Sequence, residues 1–134
     1  TIVVIGNGAE EVKERLDDGH LTFVLQKNLL GTGDALSIAK KELLKGTVLV
    51  LNGDGPLITA KTLRDLLAKH KRSKNMLSFL SFIDESMSGY GRIFRDGSGR
   101  VAGIVEDKHA SSDEKNKFNE LNGGVYVMET KALD

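Results

Sequence analysis

The chain reads as an α/β protein with a mixed, mainly parallel sheet flanked by helices. Three observations predict this. Apolar runs rich in β-branched residues alternate with helical patterns over the first 70 residues. The densest run, Val48-Leu-Val-Leu51, has the unbroken apolar character of a strand buried on both faces. The rhythm then changes to short strands separated by turns, which is the pattern of an antiparallel annex.

Each element has a local reason. Ile2–Ile5 is an apolar run closed by Gly6-Asn7-Gly8, hence a buried strand and a turn. Ala9–Leu16 places Val12 and Leu16 on one helical face, and Asp17-Asp18-Gly19 ends it. Thr22–Leu25 is a second short strand. A polar, Gly-bearing loop spans 26–33. A helix over 35–44 directs Leu36, Ala39, Leu43 and Leu44 inward, with Gly46 as its stop. The strand 48–51 ends at Asn52-Gly-Asp-Gly-Pro56, a cluster of turn residues. Thr59 is an N-cap for a helix over 60–71, which buries Leu63, Leu66 and Leu67 and carries cations in its last turn. Helical crossovers predict parallel neighbours in this half. Strands follow at 76–83, Arg92–Arg95, 101–106 and 124–128. The turn 96–99 makes the middle two an antiparallel hairpin. Residues 111–118 are polar and form a short helix or ordered loop. No repeat, linker or low-complexity segment is visible.

Composition excludes several functions. The 134 residues suffice for one domain with a core, and 19 basic side chains balance 19 acidic ones. There is no basic stripe and only 5% aromatic content, against a nucleic-acid binder. The chain has no cysteine, so no disulfide framework and no thiolate metal site, in keeping with a cytoplasmic home. No apolar run approaches the roughly 20 residues of a membrane helix, and no signal peptide is recognisable. The first residue is Thr1, already in a strand pattern, and we read the chain as an internal piece of a larger polypeptide. Its severed sheet edges, Ile2–Ile5 in particular, are then candidates for self-association.

The turn at Asp54 and four further loops carry groups that can do chemistry. Asp54 follows a strand in an open α/β sheet, where such folds bind ligands. Beside Gly53 and Gly55 it suits a magnesium holder, or it simply caps a turn. Gln26 can donate and accept at once, which fits a nucleobase edge, and Gly31-Thr32-Gly33 opens a helix, so it suits an anion, a planar ring or nothing but helix entry. Ser88-Gly-Tyr-Gly-Arg-Ile93 lets Gly91 face a ligand or form a tight turn. Glu106 can accept from sugar hydroxyls and Lys108 can meet a phosphate, or both end a strand in solvent. Asn122, ahead of the last strand, can donate to a carbonyl or hydroxyl. His20, His70 and His109 lack metal-ligand spacing, and no covalent nucleophile is evident.

As an ordered set, Leu25-Gln26, Leu30-Gly-Thr-Gly33, Gly53-Asp54 with Pro56-Leu57, Gly89-Tyr-Gly-Arg-Ile93, Gly103-Ile-Val-Glu106 with Lys108, and Asn122 resemble the sugar-nucleotide pyrophosphorylases. Within them the chain is most similar to the bacterial uridyltransferase domains that act on N-acetylglucosamine 1-phosphate. The resemblance implies a Rossmann-like nucleotide-diphospho-sugar transferase fold, truncated at both ends, over 1–134 as a single partial domain. It implies Mg2+-assisted, in-line reaction of UTP with N-acetylglucosamine 1-phosphate to give UDP-N-acetylglucosamine and pyrophosphate. By position, Gln26, Gly31 and Thr32 would hold uracil. Asp54 would hold the metal as the catalytic ligand, with Asn52 and Gly53 lining the same site. Gly91, Glu106 and Asn122 would hold the sugar. Three departures stand out: Asn52 where an aromatic is frequent, Gly55 where Val is frequent, and Leu29 where a second Gln is common. The family's Gly-rich triphosphate loop and a second, Asn metal ligand are not among these residues, so the piece alone is expected to be inactive. A pyrophosphorylase for another hexose 1-phosphate and a non-catalytic paralogue that binds a sugar nucleotide are the alternatives.

Overall fold

A computed structural model describes residues 1–16 and 19–133. The proposed helix stop at Asp17 and Asp18 lies outside the described residues. The backbone divides into two compact units, residues 1–46 with 129–134, and residues 47–128.

In the first unit, β1 (Ile2–Ile5) and β2 (Thr22–Leu25) pair in parallel, Ile2 opposite Thr22 and Ile5 opposite Leu25. The helix α1 (Ala9–Leu16) lies between them in sequence, so this is the parallel pairing that a helical crossover predicts. The helix α2 (Thr32–Ala39) starts three residues earlier than the apolar stripe suggests and gives way to a 3-10 turn at Lys40–Glu42. Its inward face is therefore shorter. Ala39 is buried, but Leu44 falls beyond the helix and is exposed. Thr130 seals the unit's return segment, exchanging two hydrogen bonds with Gly46 through its N–H (2.8 Å) and its hydroxyl (3.0 Å).

The second unit holds a five-stranded sheet of β3 (Thr47–Leu51), β4 (Leu77–Ile83), β5 (Arg92–Arg95), β6 (Val101–Val105) and β7 (Glu120–Glu129). The order is β3-β7-β5-β6, with β4 also on β7. The apolar run 48–51 predicts a strand buried on both faces. Among the described residues its sheet neighbour is β7, with Val48, Leu49 and Val50 half-buried and Leu51 exposed. The hairpin β5–β6 is antiparallel as its turn predicts. The last strand is longer than 124–128, because Glu120, Leu121 and Asn122 pair with Ile83, Phe82 and Ser81 of β4. Asn122 thus lies within β7, not ahead of it. Between the Ser81–Asn122 and Phe79–Tyr126 pairs, β4 advances two residues and β7 four, so Gly123-Gly124 form a bulge. Gly124 has φ 68°, and a Cβ on Gly123 would lie 3.0 Å from the Leu80 carbonyl oxygen.

The core of this unit is Leu66, Val125 and Val127, packed by Leu49, Ile58, Leu63, Leu67 and Leu80. Leu66 belongs to α3 (Ala60–Ser73), capped as predicted by Thr59, whose hydroxyl accepts from the Thr62 N–H at 3.1 Å. Such a cap contributes about 1 kcal/mol. Fully burying one apolar side chain is worth roughly 1.5–3 kcal/mol. Packing, more than capping, therefore holds α3. The same helix buries His70, whose Nδ1 meets the Ser78 hydroxyl at 2.9 Å. The short helix α4 (Ser112–Lys117) opens with a capping box between Ser111 and Glu114.

Candidate functional site

In the second unit the site is a consequence of strand register. Arg92 pairs with Val105 across the hairpin, so the next residues outward, Gly91 and Glu106, stand opposite each other. Arg92 also pairs with Leu121 of β7, and one step outward the Asn122 N–H donates to the Gly91 carbonyl at 2.8 Å. Glu106, Gly91 and Asn122 therefore form a row across β6, β5 and β7.

Gly91 is compelled by space. A Cβ there would meet Ile104 Cγ2 at 2.9 Å and the Glu106 carboxylate at 3.5 and 3.6 Å. The missing side chain leaves the carboxylate lying against bare backbone. Glu106 itself is exposed, and its carbonyl is tied into the following turn by the N–H groups of His109 (2.8 Å) and Ala110 (3.0 Å). Asn122 is held at both ends: its Nδ2 donates to the Tyr126 hydroxyl at 2.6 Å, and its Oδ1 accepts from the Gly124 N–H at 3.2 Å.

Asn52 joins this row through the bulge. Its Nδ2 would be 2.5 Å from a Cβ on Gly124, so its side chain lies directly on that glycine. The left-handed φ of Gly124 favours glycine, and a larger residue would also displace the Asn52 side chain. Gly53 and Asp54 occupy the exposed turn that follows, and no hydrogen bond or ion pair engages the Asp54 side chain among the described residues. No cluster of three metal-binding side chains exists among the described residues. A lone exposed carboxylate beside open glycine backbone does not make a protein cage. It does fit Mg2+, which keeps waters and takes one or two carboxylates together with substrate phosphate oxygens.

Behind the row lies an ionic support that the sequence did not suggest. Arg92 is buried, donating to the carbonyls of Phe118 (2.9 Å) and Met87 (3.3 Å), with Asp107 at 4.0 Å. The Lys115 ammonium, 3.2 Å from Asp107, holds that carboxyl below the usual range, and the Gly89 N–H and Arg92 add to the effect. The residues flanking Gly91 and Glu106 thus face each other as opposite charges, too far apart for a hydrogen bond, with Arg92 Nε and Asp107 Oδ1 buried and without a hydrogen-bond partner among the described residues.

The first unit holds the other predicted group. Gln26 is 8% exposed and its N–H bonds the Ile5 carbonyl at 2.8 Å. Its Nε2 donates to the Gly31 carbonyl at 3.1 Å and to Asp34 Oδ2 at 2.7 Å. Gly31 caps α2 with φ 104°, and Thr32 is the helix's first residue. Gln26, Gly31 and Thr32 thus lie on one short connection. The sequence does not single out Asp34. An acid in the first turn of a helix reads as a dipole partner, and only the fold brings it back onto Gln26. Tyr126 was missed for the same kind of reason, since its hydroxyl reaches Asn122 only across the bulge.

Comparison with known proteins adds to this geometry. Residues 1–134 match the nucleotidyl transferase family. The bifunctional protein GlmU of Alkaliphilus metalliredigens is 46% identical over 133 residues, and that of Caldanaerobacter subterraneus 47%, each alignment covering 98% of this chain and 29% of the relative. The chain thus spans under a third of the length of these relatives. Among solved structures, a putative glucose-1-phosphate thymidylyltransferase from Bacillus anthracis superposes with a TM-score of 0.77 at 17% identity, covering 98% of this chain and 53% of that one. HddC from Yersinia pseudotuberculosis gives 0.70 at 21% identity, covering 98% and 56%. At those identities the likeness speaks for the fold, which is that of the nucleotide-diphospho-sugar transferases.

Proposed function

Since the chain belongs to the nucleotidyl transferase family, we propose that it is the central piece of a uridyltransferase domain, 1–134 forming one partial nucleotidyltransferase domain of a larger cytoplasmic protein. The parent transfers UMP from UTP to N-acetylglucosamine 1-phosphate and releases pyrophosphate. The observation that carries this reading is the row Glu106–Gly91–Asn122, an acceptor, a bare backbone and a carboxamide side by side. Such a set suits a hydroxylated ring with an acetamido group. The 46–47% identity to proteins named GlmU supports the same substrates.

In this reading Glu106 accepts from sugar hydroxyls and Asn122 orients the sugar, while Gly91 lets the ring approach the backbone. Gln26, Gly31 and Thr32 hold the uracil. Asn52 and Gly53 line the nucleotide side, and Asp54 contributes a carboxylate to Mg2+. When bound, that ion neutralises charge developing on the phosphates. The sugar phosphate attacks the α-phosphorus, and what these side chains supply is alignment of the two substrates.

The test is pyrophosphate release by the full-length protein with UTP, N-acetylglucosamine 1-phosphate and Mg2+. Release that stops with EDTA is expected. Preference for another hexose 1-phosphate, or tight binding of a sugar nucleotide without turnover, would overturn the assignment. The 134-residue chain alone should release no pyrophosphate.

A further inference from the structure

Gln26 has two faces, and the fold uses one of them. Both of its N–H bonds are spent, on the Gly31 carbonyl and on Asp34 Oδ2. Those partners are pure acceptors, so the carboxamide cannot turn over without setting oxygen against oxygen. Its Oε1 has no partner among the described residues, yet it is not among the buried, unpartnered polar atoms, so it reaches solvent. The side chain is otherwise enclosed. Gln26 therefore presents a fixed acceptor.

We propose that Asp34 is a specificity-setting positioning residue. With Gly31 it turns the Gln26 carboxamide so that Oε1 faces the nucleobase, admitting bases that offer a ring N–H and rejecting those that offer a bare ring nitrogen. Uracil carries N3–H, whereas the N3 of cytosine is an acceptor and would stand against Oε1. A freely turning glutamine would serve both bases. The inference rests on the placement of Gln26 at the base and goes beyond it by assigning the choice of base to a residue that does not touch the nucleotide.

The experiment compares kcat/KM for UTP and CTP in the full-length protein and in Asp34→Lys, whose ammonium can only donate and so favours a turned Gln26. The UTP:CTP ratio should fall by about tenfold or more, because a site built to pair an N–H loses discrimination when its acceptor is no longer fixed. Asp34→Asn, whose Oδ1 can still accept from Nε2, should keep the ratio. A merely structural Asp34 would depress both nucleotides alike in Asp34→Lys and leave the ratio intact, and that result overturns the inference. If Asp34→Lys does not fold, Asp34→Arg reads the same ratio. Gln26→Ala separates the two levels. A collapsed ratio there with an intact one in Asp34→Lys removes Asp34 alone, whereas an unchanged ratio in Gln26→Ala removes the base site with it.

Discussion

The row at Gly91 and the turn at Asp54 belong to the same unit and are built in opposite ways. Around Gly91 the available groups are mostly committed: its carbonyl takes the Asn122 N–H, its Cα lies beneath Ile104, and the Asn122 carboxamide is bonded at both ends. At residues 52–57 the chain is exposed, and Asp54 engages nothing among the described residues. The first region is preorganised, so its geometry persists without ligand. On the proposed reading, the second would be completed by the phosphates of a nucleotide and their cation. Rigidity would then fall where a neutral ring is recognised by shape, and openness where a charged, hydrated group is taken in.

Substitutions in the full-length protein can break that contrast. The largest effect should come from Asp54→Ala, with kcat lowered by about 3 kcal/mol of barrier, on the order of 100-fold, and melting unchanged. A lowered melting temperature would show that the turn is structural after all. Gly91→Val should act on both counts: overpacking against Ile104 costs roughly 1–3 kcal/mol of stability in denaturant titration, and the KM for the sugar phosphate rises. An unaffected KM would remove Gly91 from the sugar side. Gly124→Ala should cost about 1–2 kcal/mol from its left-handed backbone, with Asn52 displaced as well. If activity survives that loss, Asn52 does not line the nucleotide side.

The smallest effect concerns pH. Glu120 accepts from Arg95 at 2.6 and 2.7 Å and from the Ser81 hydroxyl at 2.7 Å. The Arg95 guanidinium is the main cause of its lowered pKa. A depressed carboxyl stabilises the fold above its unfolded pKa, and that contribution is lost as pH falls through the folded value. Stability should therefore be flat near neutrality and decline only on the acid side of the ordinary glutamate range. Glu120→Gln should flatten part of that decline. The pair is partly exposed, so the change is small.

Much of this was legible without coordinates. The hairpin turn at 96–99 predicts that β5 and β6 are antiparallel, but a one-residue register shift between Phe94 and Arg95 is what brings Glu106, rather than Val105, opposite Gly91. The Thr59 cap, and the Ser111–Glu114 box in the stretch left open as helix or loop, also follow from neighbours three residues apart. Asn122 was read as preceding a strand because Asn-Gly-Gly is turn chemistry. Pairing with β4 overrides that preference and converts the glycines into a bulge. The run 48–51 reads as buried on both faces, yet it is half-buried, because an apolar strand does not reveal what covers it.

The order of strands and helices, their caps and the antiparallel sense of the hairpin are set by the sequence alone, since each depends on residues close together in the chain. The lie of Asn52 on Gly124, the grip of Tyr126 on Asn122 and the fixed face of Gln26 were decided only by tertiary structure. Each needs a partner delivered by a bulge, a strand pairing or a helix entry, and hydrogen-bond direction is settled by what stands opposite, which no periodicity encodes.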